Sequence, residues 1–188
     1  MRNSKLTTLV ECALLLAVGN ILAMIKIFEM PNGGSITLLS MLPFIIISFR
    51  HGTRWGLITG FANALLQMLM GGLWTPPAGT FIALVGEILL DYVLAFMVLG
   101  LAGALAKPFG GKTAAGAAMG TALACLMRFL CSFVSGFLIW ASLVEDGLGA
   151  VIYSLTYNAS YMVPETVLTV IAAVLLYKKA PSIFNAAK

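Results

Sequence analysis

The sequence predicts an all-α integral membrane protein: a single domain over residues 1–188, six transmembrane helices, and both termini in the cytoplasm. Three observations lead there. First, 61% of the residues are hydrophobic and only 10% are charged, where a soluble domain carries about 25% charged residues. Too few polar side chains remain to coat a globule in water, so lipid must solvate much of the surface. Second, the apolar residues gather in six blocks with short connections between them. Third, the charges alternate between those connections. Arg2 and Lys5 precede the first block, Arg50 and Arg54 lie between the second and third, Lys107 and Lys112 between the fourth and fifth, and Lys178, Lys179 and Lys188 follow the sixth. The opposite set holds Lys26 with Glu29, no charge in "GGLWTPPAGT", and the acidic pair Glu145 and Asp146. Nine basic residues stand on one side against one on the other, which places the basic side in the cytoplasm.

The first block, about Leu6–Phe28, follows basic residues as a signal peptide would. Glu11 interrupts it and no cleavage site follows, so it reads as the first membrane helix. The second block, about Ile36–Phe49, and the third, about Trp55–Met70, fall short of the roughly 20 residues a spanning helix needs. They extend into their flanks, tilt, or stop partway. Pro43 in "MLPF" is expected to kink the second helix or free a carbonyl. The fourth block (Phe81–Ala106), fifth (Thr113–Trp140) and sixth (Val151–Tyr177) are each long enough to cross. No linker, low-complexity run or internal repeat divides the chain. Cys12, Cys125 and Cys131 lie in apolar blocks without CxxC spacing or histidine partners, which points to packing and away from disulfides or a metal site. A pI near 9.1 does not imply nucleic acid, because the basic residues are scattered where membrane topology explains them. No Ser/His/Asp set, HExxH, P-loop or GxGxxG is present, so no catalytic residue, metal or cofactor is expected.

Polar residues inside the blocks are the functional signal, because charge at bilayer depth is costly. At about 1.5 Å rise per residue, Asp91 lies near the midplane, with Glu87 one turn closer to the outside on the same face. On the fifth helix Trp140 stands at the outer end, Ser132 two turns deeper and Arg128 a turn below that. On the sixth, "YSLTYNASYMVPE" brings Tyr153, Tyr157, Asn158 and Tyr161 down from the outer surface to Glu165, below a proline. Each has a plainer role open to it. Trp140, Trp74 and Tyr153 suit an interfacial aromatic belt; Asn158 and Ser132 suit interhelical hydrogen bonds. Arg128 is read first as the ion-pair partner of Asp91 or Glu165, Glu11 as structural or a partner contact, and His51 as carrying no chemistry. Together, acids, Trp, Tyr and Asn at matching depth suit a small, planar, cationic or amine-bearing ligand. The same acids leave open a proton- or cation-coupled secondary carrier, although no inverted repeat supports alternating access.

The motifs "MPNGGSITLLSMLP", "FRHGTRWGLITGF", "LDYVLAF", "RFLCSFVSGFLIW" and "VIYSLTYNASYMVPE", in that order over essentially the whole chain, resemble the ThiT family. These are the thiamine-specific substrate-binding subunits of energy-coupling factor transporters. The resemblance implies a multi-pass subunit of the bacterial cytoplasmic membrane, binding thiamine as transported ligand rather than cofactor. It would work with a transmembrane coupling subunit and two ATPase subunits. It assigns Asp91 to the glutamate that meets the aminopyrimidine, Tyr92 to the pocket, Trp140 to ligand stacking, and Tyr153 and Asn158 to the pocket lining. It likens Gly33–Ser35, and so Gly34, to the loop that covers the site, and Ala13 and Ala17 to the small-xxx-small surface that docks the coupling subunit. The chain departs from the family at two of these places. Ser132 stands where relatives often carry histidine, and Asp91 is one methylene shorter than glutamate. No tryptophan stands in the cover loop. The implied ligand is thiamine held differently, or a hydroxymethyl aminopyrimidine precursor, with Glu87 compensating for the shortened acid.

Overall fold

The computed structural model describes residues 4–31, 33–140 and 147–185. Arg2, Glu145, Asp146 and Lys188, used above for topology, lie outside the described residues. The chain is an all-α membrane protein with one small β-hairpin. Helix α1 (Ser4–Met24) leads into β1 (Lys26–Glu29) and β2 (Ser35–Thr37), then α2 (Leu42–His51) and α3 (Thr53–Gly71). A fourth rod begins as α4 (Phe81–Glu87), widens into a π-helix over Ile88–Leu94, and continues through α5 (Ala95–Met97), a 3-10 turn (Val98–Leu101) and α6 (Ala102–Leu105). Two long helices follow, α7 (Ala114–Leu138) and α8 (Gly147–Lys179), and a 3-10 turn at Pro181–Ile183 ends the described chain.

Four of these segments are long and apolar enough to cross a bilayer: Lys5–Met24, Phe81–Phe109, Ala114–Leu138 and Gly147–Lys179. Their outward residues, such as Leu14, Phe81, Ile82 and Ile171, are exposed and apolar. A coat of this kind on a single chain marks contact with lipid rather than water. Local signals set the helix ends. The Thr80 hydroxyl accepts from the Ala83 amide at 3.2 Å and starts α4; Thr113 does the same for Gly116 at 3.0 Å and starts α7.

The second block departs from expectation. Its first residues pair with β1 in antiparallel register, Phe28 opposite Ile36 and Glu29 opposite Ser35, and the helix starts only at Leu42. Pro43 therefore falls in the first turn of α2 and not in its interior. No amide bond is lost there, so no kink forms. The last residues of the first block, from Lys26, likewise leave the helix for β1. With 10 residues, α2 rises only about 15 Å, and Leu42 through Phe49 are all buried. An all-apolar helix of that length belongs inside the bundle. Gly52, at φ 88°, is the single residue between α2 and α3.

The packed core surrounds α2 at the basic end of the bundle, where Phe44, Ile45, Phe49, Leu99, Ala124 and Phe184 meet. Close backbone approach holds it: a methyl on Gly56 of α3 would sit 2.6 Å from Gly100 Cα, a small-residue contact suited to helices in lipid. At the same end Arg50 Nε and Nη2 donate to Glu11 at 2.7 and 3.1 Å. Its Nη1 donates to the carbonyls of Ser182 and Asn185, both at 2.7 Å. His51 Nε2 lies 2.8 Å from the same Glu11 carboxylate. Glu11 thus ties α1 to α2, and Arg50 ties both to the C-terminal turn. Cys12 and Cys125 are buried and Cys131 is half-buried, all three unpaired.

Candidate functional site

Above α2, at the end opposite the basic residues, lies a cavity of about 400 Å³, within the range of small-molecule sites. Met41 and Phe44, at the start of α2, form part of its floor. Its walls come from the fourth rod, α7, α8, the hairpin and the inner face of α3.

The π-helix shapes the acidic wall. Bonding i→i+5 widens the turn, and Asp91 and Tyr92, adjacent in sequence, both face the cavity, with Glu87 before them and Phe96 after. A regular helix would present position 95 instead; Ala95 is fully buried away from the cavity. Ser135 Oγ donates to Asp91 Oδ2 from α7, which fixes the carboxylate. Tyr92 OH donates to the Gly72 carbonyl at 3.2 Å. Glu87 is 1% exposed, and its Oε2 has no hydrogen-bond partner.

On α7 and α8, Ser132, Trp140, Tyr153 and Asn158 all face the cavity. Tyr153 and Tyr157 stack with centroids 5.6 Å apart. Asn158 Nδ2 donates to the Ser154 carbonyl at 2.9 Å and the Ser132 carbonyl at 3.3 Å, and Tyr161 OH donates to its Oδ1 at 2.8 Å. The amide therefore joins α7 to α8 as well as bordering the cavity. Arg128 makes neither of the ion pairs expected of it. Its Nε and Nη1 are buried without hydrogen-bond partners, and its guanidinium lies 4.2 Å from the centroid of the Phe96 ring, a cation–π contact. Glu165 instead accepts from Thr37 Oγ1 and from Ser40 Oγ at 3.2 Å.

One face of α8 carries the hairpin. Tyr157 OH donates to the Gly33 carbonyl at 2.8 Å, Tyr161 packs under Gly34, and Glu165 takes Thr37. Gly34 has φ 84°, and a Cβ there would lie 2.7 Å from the Tyr161 ring. Both the backbone twist and the contact require glycine. At the rim Lys26 Nζ and Glu29 Oε1 pair at 2.5 Å. The cavity also takes in residues to which the sequence assigned no role or, for Trp74, only a place in an interfacial aromatic belt. Ser135 lies one turn from Ser132 and shares its face. Trp74, from the α3–α4 connection, lies 3.8 Å from a Cβ built on Gly33, so a tryptophan reaches the cover loop from elsewhere in the chain. Asn63 and Gln67 of α3 also line the cavity; two amides four residues apart in an apolar helix were the available signal. Ala13 and Ala17 lie away from the cavity, on the exposed face of α1.

A lipid-coated helical bundle with a cavity lined by acids, aromatics and amides defines a membrane protein suited to holding a small polar ligand. A family model described as Thiamine transporter protein (Thia_YuaJ) matches residues 9–185, and the chain belongs to that family. It is 32% identical over 197 residues to the thiamine transporter ThiT of Bacillus subtilis (strain 168), covering 100% of this chain and 98% of that one. To the thiamine transporter ThiT of Lacticaseibacillus paracasei it is 24% identical over 158 residues, covering 78% and 75%. A solved structure of ThiT from Listeria monocytogenes shares the fold with a TM-score of 0.76 at 23% identity, over 97% of this chain and 100% of that one.

Proposed function

We propose that this chain is the high-affinity binding subunit of an energy-coupling factor transporter, holding thiamine in an outward-facing pocket of a six-span bundle with both termini in the cytoplasm. Asp91 meets the aminopyrimidine from the π-helical turn, Tyr92 and Ser132 flank it, Trp140 and Tyr153 supply aromatic surface, and Asn158 sets the α7–α8 spacing. Gly34 lets the hairpin lie over the site, and Glu87 is a second carboxyl on the same wall. Ala13 and Ala17 form the smooth strip on which a transmembrane coupling subunit, with its two ATPases, docks. The observation that carries the reading is the cavity: carboxylate, tryptophan, tyrosine and amide converge on one space in a member of this family. Against a secondary carrier stands the fixing of Glu165 by Thr37 and Ser40; that acid is committed to structure.

The test is equilibrium binding by the purified chain in detergent without any ion gradient. Thiamine is expected to quench tryptophan fluorescence with saturable, tight binding, and to outcompete hydroxymethyl aminopyrimidine. Uptake by this chain alone in vesicles, driven by a proton or sodium gradient, would sink the proposal.

A further inference from the structure

The hairpin over the cavity has two unlike faces, and a bulge decides which is which. Lys26 of β1 stands opposite Thr37 of β2, Phe28 opposite Ile36, and Glu29 opposite Ser35, so Ile27 is an extra residue without a counterpart. Unbroken alternation would group Lys26 with Phe28, and Ile27 with Glu29. The extra residue shifts the phase and brings Lys26 and Glu29 to one face. The cavity lining agrees. Lys26, Glu29, Ser35 and Thr37 all border it, whereas Ile25, Ile27, Phe28, Ile36 and Leu38 do not. Ile25 and Leu38 continue the ladder at its next position, the Leu38 amide donating to the Ile25 carbonyl at 3.1 Å. The apolar face stands open: Ile25 is 48% exposed, Ile27 60%, Phe28 56% and Leu38 41%.

This is the reverse of a lid that faces water. Apolar side chains outside and polar ones inside are disfavoured in water, and suit a hydrocarbon surrounding. The open face is also continuous with a lipid-facing surface. Leu14, Val18 and Ile21 are exposed along α1 at the spacing of a single helical stripe, and Ile25 is its next member. Depth limits how far the hairpin can sink. The span Lys5–Met24 has 20 residues, which at about 1.5 Å each matches the roughly 30 Å hydrocarbon layer. β1 therefore begins where that layer ends. A two-stranded sheet keeps open backbone edges, which the hydrocarbon interior does not admit, so the strands sit at headgroup level. We propose that Ile25, Ile27, Phe28 and Leu38 form a lipid-interface anchor, seated on phospholipid at the bilayer face opposite the basic residues. The inner side of the hairpin is tied to α8 through Gly33 and Thr37, so lipid borders the outside of this part of the cavity wall. The anchor does not depend on which ligand the cavity holds.

The test places a tryptophan on the open face, Phe28→Trp, in the full chain reconstituted into phosphatidylcholine vesicles. Trp55, Trp74 and Trp140 are common to parent and variant, so the difference in emission reports position 28. That added emission is expected to be blue-shifted. It should lose most of its intensity to phosphatidylcholine brominated near the ester end of the acyl chain, less to lipid brominated near the methyl end, and little to iodide present on both sides. Ile25→Trp, on the same face, should give the same pattern and serves as the probe if the first variant does not fold. Quenching by iodide and by neither lipid means that the face meets water, and overturns the anchor. Shielding from iodide and from both lipids means that protein covers the face, a second copy of this chain included, and overturns it equally. Strongest quenching near the methyl end overturns the placement at headgroup level.

Discussion

Replacing Asp91 by Asn tests the acidic wall with the least disturbance. Asn has the same shape, and its Oδ1 can still accept the Ser135 hydroxyl that now bonds Asp91 Oδ2, so packing and position survive. What disappears is one formal charge facing the cavity. Hydrogen bonds to a charged group contribute about 1.5–3 kcal/mol and neutral ones about 0.5–1.5. The expected loss on binding the aminopyrimidine of thiamine is therefore about 1–2 kcal/mol, or roughly 5- to 30-fold in Kd. Of the neighbouring charges, Glu87 on the same wall is placed to offset part of this loss. Arg128 is engaged with Phe96, and Glu165 is held by Thr37 and Ser40. Calorimetric titration of thiamine into the purified variant measures the change, with a thermal melt to establish that the fold is retained. An affinity within about twofold of the parent, in a folded variant, refutes the assignment of Asp91 to the ligand.

Gly34→Val sets a branched side chain where a Cβ would already be 2.7 Å from the Tyr161 ring, at φ 84°. Strain of about 1–3 kcal/mol should lift the hairpin and speed thiamine dissociation in stopped-flow fluorescence; an unchanged off-rate contradicts the seat on α8. Ser132→His adds a large polar ring to the cavity wall and is expected to raise the preference for thiamine over hydroxymethyl aminopyrimidine, read by competition binding. An unaltered ranking counts against a specificity role there. Arg50→Ala removes the donor to Glu11 and to two carbonyls of the C-terminal turn. Partial exposure limits the loss to about 1–2 kcal/mol, seen as a lower melting temperature with thiamine affinity unchanged.

Hydropathy and charge placement made the lipid-solvated class and the long helices legible, because both are sums over local residues. The failures came where structure depends on partners distant in sequence. Ile36 is as apolar as its helical neighbours, yet Ser35–Thr37 pairs with β1, and only that pairing explains the late start of α2. The π-helix over "ILLDYVL" has no glycine or proline to announce it. Helix depth put Arg128 level with acids on neighbouring helices, but depth carries no direction, and the guanidinium lies over Phe96 instead. Residues facing the cavity were found through depth and resemblance; the groups that hold them, Ser135 behind Asp91 and Thr37 beside Glu165, were not, since a hydroxyl in an apolar helix has no signature of its own. Asn63 and Gln67 drew no notice in the sequence, because their tie is to Asn20 in another helix.

The brevity of α2 has a consequence for how ligand size is set. Residues of α3, the fourth rod, α7 and α8 enclose the cavity over Met41 and Phe44, so it occupies the column that a longer α2 would have filled. The bound molecule stands in for the absent turns, and the position of the α2 start acts as a ruler for what fits. Adding one turn ahead of Leu42 would remove about 5 Å of depth at the expense of Ser40 and Met41 in the lining. Among proteins of this architecture, differences in ligand length should therefore track where this helix begins.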